Sequence, residues 1–163
     1  MACRFNVRKV GAGFTVIELL ISAVILATLA SVALPFAELA YRRSQEAELR
    51  HALQQIREAL DSYKQAGDNG HIERRADQSG YPARLGLLTD GVVDLKSPSG
   101  ARIYFLRRLP RNPLSRREVS AEDSWAKRSY ASSADDPKDG DDVFDVYTPE
   151  SMKGLNGIPY REW

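Results

Sequence analysis

The residues that could carry out chemistry in this sequence are concentrated in one acidic segment. Five of the eight side chains at positions 135–142 are aspartates, and a glycine within the run lets the backbone turn. Carboxylate oxygens are the ligands that a hard cation such as Ca²⁺ prefers. The spacing is not that of an EF-hand loop, which needs a bidentate glutamate at its twelfth position. A solvated acidic loop is the alternative interpretation, and a lysine inside the run favours it. The candidate calcium ligands are Asp135, Asp139, Asp141 and Asp142.

The sequence shows no arrangement of residues that is typical of an enzyme. Its two histidines, His51 and His71, stand apart from suitable partners, and we expect both to be solvated. The motifs GxSxG and HExxH and a phosphate-binding loop are not present. The near-equal numbers of basic and acidic side chains, 23 and 22, argue against nucleic-acid binding. The single cysteine, Cys3, excludes an internal disulfide framework. We therefore expect a protein that is not an enzyme and that requires no cofactor.

An apolar segment near the start dominates the sequence. Residues 14–37 contain one charged side chain, Glu18, and as a helix they would extend about 36 Å, enough to cross a hydrocarbon core of ~30 Å. The preceding residues 1–13 carry three basic side chains and no acid, which predicts a cytoplasmic N-terminus. A secretory signal cleaved before Leu34 is an alternative. It does not explain Glu18, because a charge at bilayer depth costs about 2.5–3.5 kcal/mol and is usually retained for a partner.

The residues around Glu18 resemble a known processing signal. The string GFTVIELL at positions 13–20, after a short basic leader, is similar to the signal of type IV pilins and type II secretion pseudopilins. The resemblance implies that a prepilin peptidase cleaves between Gly13 and Phe14 and methylates the new amine of Phe14. It also implies that Glu18 faces the N-terminal amine of a neighbouring subunit, which would be the missing cation. Pro35 lies where this family commonly carries a proline, which should kink or loosen the helix.

Residues 38–66 are expected to continue the same helix with one apolar face. Five apolar side chains are spaced by 4, 3, 4 and 3 residues, as on one stripe of a helix, and the glycines from Gly67 onward should end it. A coiled-coil dimer would give the same spacing, but the stripe lasts barely two heptads, so packing on the chain's own domain is favoured. The stripe consists of Leu49, Leu53, Ile56, Leu60 and Tyr63.

Residues 67–163 are expected to form a small domain against this helix. Candidate strands are 103–106, 125–132 and 143–147, and in the last the face of Phe144 and Val146 is favoured for the core. The prediction is an α+β fold, pilin-like, with a long helix packed on a three-stranded antiparallel sheet. The order of the segments YFLRRLPRNP, VFDVYTPES and LNGIPYREW resembles the major pseudopilin of type II secretion. Residues 112–117 depart from it, because they replace the tryptophan and glycine turn that commonly follow LP-x-DP.

Two further groups of side chains have more than one interpretation. A basic stretch between residues 107 and 117 is either a solvated face or a contact for the acidic loop of a neighbouring subunit. Four aromatic residues are interpreted as core or rim, with a binding groove as the alternative. The resemblance also favours the calcium site, because major pseudopilins bind calcium in their late loops. The basic residues are Arg107, Arg108, Arg111, Arg116 and Arg117, and the aromatic ones are Trp125, Tyr130, Phe144 and Trp163.

The resemblance implies a structural subunit of a type II secretion pseudopilus, which polymerises through its N-terminal helix to drive protein export. Its implied partners are further copies of itself, other pseudopilins, the prepilin peptidase and the inner-membrane assembly platform with its ATPase. The expected location is the bacterial inner membrane, with one span and a periplasmic C-terminal domain. The alternatives are a minor type IV pilin, which commonly has a paired-cysteine loop that this chain lacks, and a membrane-tethered periplasmic binding module.

Overall fold

A computed structural model describes residues 13–74, 78–149 and 151–163. The leader expected at residues 1–13 lies outside the described residues except for Gly13. The chain divides into two compact units, Met1–Tyr41 and Arg42–Trp163. Along the chain, the elements are α1 (Val16–Asp68), α2 (Leu87–Asp90), β1 (Val92–Val93), β2 (Arg102–Ile103), β3 (Ala126–Arg128), β4 (Asp145–Tyr147) and a final 3₁₀ turn (Tyr160–Glu162).

Helix α1 is continuous over 53 residues and contains Pro35. Continuity was expected over residues 14–66, so the prediction is confirmed, with each end displaced by two residues. Gly70 ends the helix, because its backbone has a φ of 72°, in the left-handed region that glycine adopts without strain. The N–H of Gly70 then donates to the carbonyl of Gly67, and the N–H of His71 donates to that of Ala66, each at 2.9 Å.

The apolar stripe of α1 forms the core of the second unit. Leu49, Leu53, Ile56 and Leu60 are almost completely buried, and Tyr63 is partly buried with its ring 5.3 Å from that of Phe105. The stripe therefore packs on the chain's own domain, as the sequence predicted. The partners that complete this core come from the rest of the unit and include Leu85, Leu88, Trp125, Val143, Val146 and Tyr160.

The expected three-stranded sheet is wrong, because the structure has two separate two-stranded antiparallel ladders. One pairs β1 with β2 and the other pairs β3 with β4. Candidate strand 103–106 ends at Ile103 because the N–H groups of Phe105 and Leu106 both donate to the carbonyl of Leu88. Candidate strand 125–132 ends at Arg128 because the N–H of Ser129 donates to the carbonyl of Lys138.

The face predicted for the last strand is only half right. Val146 is completely buried, but its expected companion Phe144 is only partly buried, whereas Val143 is at 1% exposure. Val143 lies before the ladder begins, and its N–H donates to the carbonyl of Pro82 at 2.8 Å. Alternation of faces does not extend to a residue outside the ladder, so Val143 is free to point into the core.

Asn112 joins the loop after β2 to the second ladder. This residue is fully buried, and its side-chain amide donates to the hydroxyl of Thr148 at 2.8 Å and to the carbonyl of Ser124 at 3.2 Å. Its amide oxygen accepts from the N–H of Leu114 at 2.9 Å. A buried polar side chain with these partners fixes the path of residues 109–114.

Candidate assembly surface

The first unit presents an apolar surface on all sides of its helix. Thirteen large apolar side chains between Phe14 and Phe36 are each more than half exposed. An 18-residue window of α1 has a mean hydropathy of 2.4 and contains no buried residue. Among the described residues, α1 is the one helix that is long and apolar enough to cross a membrane. An exposed apolar surface of this extent requires lipid or other protein around it.

Two hydroxyl groups in this apolar surface are satisfied within the helix itself. The hydroxyl of Thr28 donates to the carbonyl of Ile25 at 2.8 Å, and that of Ser31 donates to the carbonyl of Ala27 at 2.9 Å. A hydroxyl that bonds to its own helix exposes no unpaired donor to hydrocarbon. Both side chains are therefore compatible with an apolar environment.

Thr15 and Glu18 together form the start of α1. The N–H of Glu18 donates to the hydroxyl oxygen of Thr15 at 3.2 Å, so Thr15 caps the helix. Glu18 is the third residue of the helix, the position of the acid in a capping box. Sequence analysis missed this role, although the pattern T-x-x-E preceding an apolar run indicates it. The helix dipole stabilises an acid here by about 0.3–1 kcal/mol, which offsets only part of the cost of placing it in a membrane.

The predicted processing site lies at the edge of this surface. Gly13 and Phe14 are exposed and precede the first residue of α1. A Cβ atom on Gly13 would have no neighbour within 4 Å. The peptide bond between Gly13 and Phe14 therefore lies outside the helix, and no atom crowds it on the side of Gly13. Cleavage of this bond stays a prediction. Pro35, the other residue predicted to act in assembly, is exposed within α1.

Asp142 differs from the other aspartates of the acidic segment because it is already bound within the domain. It accepts hydrogen bonds from the hydroxyl of Ser129 at 2.6 Å, from the N–H of Tyr130 at 3.0 Å and from the hydroxyl of Ser79. Burial by itself would raise the pKa of Asp142, but these hydrogen bonds outweigh it and hold the pKa below the usual value. Asp142 thus fastens the loop before β4 to the end of β3.

The remaining candidate calcium ligands point into solvent. Asp135, Asp139 and Asp141 are exposed. In the ranges that the structure describes, no three histidine, cysteine, aspartate or glutamate side chains are grouped so as to hold a metal ion. The structure therefore does not bring the four candidate ligands together, and calcium binding stays a prediction.

The two histidines have different environments. His51 is exposed, as predicted. His71 has a partner that sequence analysis did not identify, because its Nδ1 lies 2.9 Å from a carboxylate oxygen of Asp94. The hydrogen bond from His71, followed by one from the N–H of Lys96, lowers the pKa of Asp94. This pair joins the end of α1 to the segment after β1, which is a structural role.

Sequence analysis also missed the most buried charged residue of the described chain, Glu46, which is 5% exposed. One of its carboxylate oxygens accepts from the N–H of Leu155 at 2.6 Å and from the hydroxyl of Tyr160 at 3.1 Å. Burial, and after it the hydrogen bond to Glu46, raises the pKa of Tyr160. The signal was present, because Glu46 lies three residues before Leu49 and so continues the apolar stripe of α1.

Arg57 makes a second connection between α1 and the C-terminal residues. Its guanidinium donates to a carboxylate oxygen of Asp145 at 2.8 Å and to the carbonyl of Trp163 at 2.8 Å. Arg50, two turns earlier, lies over the ring of Trp163 at 4.3 Å from its centroid. Helix α1 therefore holds the end of the chain through Glu46, Arg50 and Arg57, which we call the clasp.

The basic stretch and the aromatic residues divide between surface and core. Trp125 is buried and its indole N–H donates to the carbonyl of Pro110 at 2.8 Å, whereas Tyr130 is exposed. Trp163 lines a groove of about 490 Å³ together with Arg50 and Arg57 of the clasp. Four arginines are exposed and form no ion pair with any residue in the described ranges: Arg107, Arg108, Arg116 and Arg117.

Comparison of the chain with models of known families, with curated proteins and with solved structures found no match in any of the three.

Proposed function

We propose that this chain is a membrane-inserted subunit that polymerises through the first part of α1 into a helical filament of the type II secretion pseudopilus. The observation that carries the proposal is the apolar surface between Phe14 and Phe36, exposed on every side of the helix, with one carboxylate at its start. Lipid can cover this surface before assembly, and the same segments of neighbouring subunits can cover it in a filament. Contacts between different faces of identical subunits generate a helical filament when the rotation from one subunit to the next does not close into a ring.

Glu18 is the feature that favours a filament over a simple anchor. An anchor gains nothing from a carboxylate inside its apolar surface, and the capping contribution recovers less than half of the cost of burying it. A neighbouring subunit cleaved before Phe14 would present a positively charged N-terminal amine within the same apolar environment. Ion pairing between that amine and Glu18 would remove the cost and fix the axial position of one subunit against the next.

In this proposal the N-terminus is cytoplasmic, the second unit is periplasmic, and a prepilin peptidase, an assembly platform and an ATPase act on the chain. The work of the protein is assembly, with no catalytic step of its own. A minor type IV pilin would use the same helix for the same purpose, with a different filament. The other alternative is a membrane-tethered binding module, which uses the helix only as an anchor. In such a module Glu18 would have no role in assembly.

The test compares two substitutions of acidic residues on the same helix. Glu18→Ala should leave the chain inserted in the membrane and the second unit folded but should abolish assembly, measured by cross-linking and by sedimentation of filaments. Glu38→Ala is the matched control, because Glu38 is also exposed and helical but lies outside the apolar segment, and it should assemble normally. Unchanged assembly of Glu18→Ala would refute the role of Glu18 and favour the tethered module.

The mass of the mature chain provides an independent test. Processing as proposed yields a chain that begins with N-methylated Phe14. A chain that begins at Leu34 would show that the apolar segment is a secretory signal and would refute the filament proposal. A chain that retains Met1 would also contradict processing and would favour a tethered module.

A further inference from the structure

The C-terminal residues form a short hairpin that α1 holds in place. Lys153 pairs with Pro159 in an antiparallel bridge, and the N–H of Gly154 donates to the carbonyl of Ile158 at 2.9 Å. The turn closes through the N–H of Gly157, which donates to the carbonyl of Gly154, and Gly157 has a φ of 80°, which suits glycine. Glu46 fixes this hairpin to α1 through the N–H of Leu155.

The hairpin exposes apolar side chains at and beside its turn. Met152 is 54% exposed, and Leu155 and Ile158 are each 45% exposed. The clasp fixes the backbone that carries them, so these side chains are presented on a held element. A turn with three partly exposed apolar side chains is a surface that gains free energy by entering an apolar interface.

Basic side chains accompany these apolar ones. Lys153 lies in the hairpin and Arg161 directly follows it, and both are exposed. Arg42 on α1 lies near enough to act electrostatically on the hydroxyl of Tyr160, which ends the hairpin. Within residues 151–163 and the part of α1 that faces them, the acids are Glu46, which is buried and hydrogen-bonded, and the exposed Glu162; Glu150 lies outside the described residues. An apolar turn with an excess of exposed cations has the chemistry of a surface that binds anionic lipid headgroups.

The length of the chain brings this surface within reach of a membrane. Glu46, which holds the hairpin, lies nine positions after Ala37, at the end of the apolar segment. Even fully extended, nine residues span only about 30 Å. A site joined this closely to a membrane-spanning segment is kept near the bilayer by the chain itself, so weak binding is sufficient for occupancy.

We propose that this hairpin docks on the surface of the bilayer in which the same chain is anchored, with its three apolar side chains in the headgroup region and its cations on anionic lipid. The proposal rests on the membrane-spanning part of the proposed function. Docking would hold the second unit at the membrane before assembly. It also gives a role to Arg42, a cation on the translocated side of the span, where the charge bias disfavours it.

The test uses the full chain, labelled in its methionine, leucine and isoleucine methyl groups, at one copy per lipid nanodisc. Lipids with a nitroxide near the headgroup should broaden the methyl signals of Met152, Leu155 and Ile158 at least threefold more than those of Leu95. Leu95 is the control because it is exposed in the same unit but lies after β1. The broadening should fall in nanodiscs without anionic lipid and in the double variant Lys153→Gln, Arg161→Gln.

The outcomes separate failure of this inference from failure of the proposed function. Nitroxides deep in the bilayer report on Leu20 and Leu29, whose broadening shows that the segment spans the membrane. If the methyl signals of the span are broadened but those of the hairpin are broadened no more than those of Leu95, the docking inference is overturned and the membrane span is not. Span methyls that stay sharp would overturn both. Broadening of the hairpin methyl signals that is equal in nanodiscs without anionic lipid would overturn docking on anionic lipid. Broadening that appears only with a second copy of the chain per nanodisc would overturn it as well.

Discussion

Replacement of Glu46 by alanine should destabilise the second unit by about 2–4 kcal/mol. Alanine removes the acceptor for two donors, and each buried donor left unpaired costs about 1–3 kcal/mol. Most of this loss of stability should come from the unpaired hydroxyl of Tyr160, because Tyr160 is buried. The N–H of Leu155 should contribute less, because Leu155 is partly exposed and water can replace the lost hydrogen bond. The ion pair with Arg50 adds little, because its atoms are 3.9 Å apart and the arginine is largely exposed.

The isosteric variant Glu46→Gln separates the hydrogen bonds from the charge. Glutamine keeps an acceptor oxygen in the same place, and a neutral hydrogen bond is weaker than a charged one by about 1 kcal/mol. The expected order of stability is therefore wild type, Glu46→Gln, Glu46→Ala. Glu48→Ala is the matched control, because Glu48 is exposed on the same helix and its replacement should change stability by less than about 0.5 kcal/mol.

Thermal unfolding of the full chain in detergent, followed by tryptophan fluorescence, measures these differences. Trp163 reports on the clasp directly, because its ring packs edge-on against that of Tyr160 at 4.9 Å. At about 4 °C per kcal/mol for a unit of this size, Glu46→Ala should lower the melting temperature by about 8–16 °C. If Glu46→Ala and Glu48→Ala melt within about 1 °C of each other, the assignment of Glu46 as a stabilising residue is refuted.

Two further predictions concern the acidic segment. Because hydrogen bonds hold the pKa of Asp142 below its usual value, this group stabilises the fold above about pH 4 and loses that contribution as the pH falls through its folded pKa. Asp142→Asn should therefore flatten the loss of stability between pH 5 and about pH 2, measured by urea unfolding, and an unchanged slope would contradict the assignment. If the predicted calcium site exists, calcium should raise the melting temperature more than magnesium does at the same concentration. The double variant Asp139→Asn, Asp141→Asn should remove this difference. Equal effects of the two ions would argue for a solvated loop.

The helix could be predicted from sequence because its signals are local and repeated. Apolar composition over residues 14–37 and the stripe from Leu49 to Tyr63 each extend over many residues, so errors at single positions do not change the result. The ends were displaced by only two residues, since Thr15 caps the first turn and Gly70, three positions beyond Gly67, adopts the left-handed conformation.

The strands and the clasp could not be predicted in the same way, because distant partners determine them. β1 has only two residues, and periodicity does not identify so short a strand. The strand expected to continue beyond Ile103 ends there because later N–H groups donate to the carbonyl of Leu88, and no local sequence pattern indicates these hydrogen bonds. The spacing of Glu46 from Leu49 indicates the buried stripe, but no local pattern identifies its partner Tyr160, 114 positions later.

That separation has a consequence for the order in which the molecule is completed during synthesis. The ribosome delivers Glu46 first, and Leu155 and Tyr160 only 109 and 114 positions later. Loop closure over such a distance is slow compared with local folding, so the carboxylate stays hydrated while the intervening chain emerges. The second unit is therefore completed only when residues 152–163 are in place, and a chain that lacks them has a charged group facing a gap in its core.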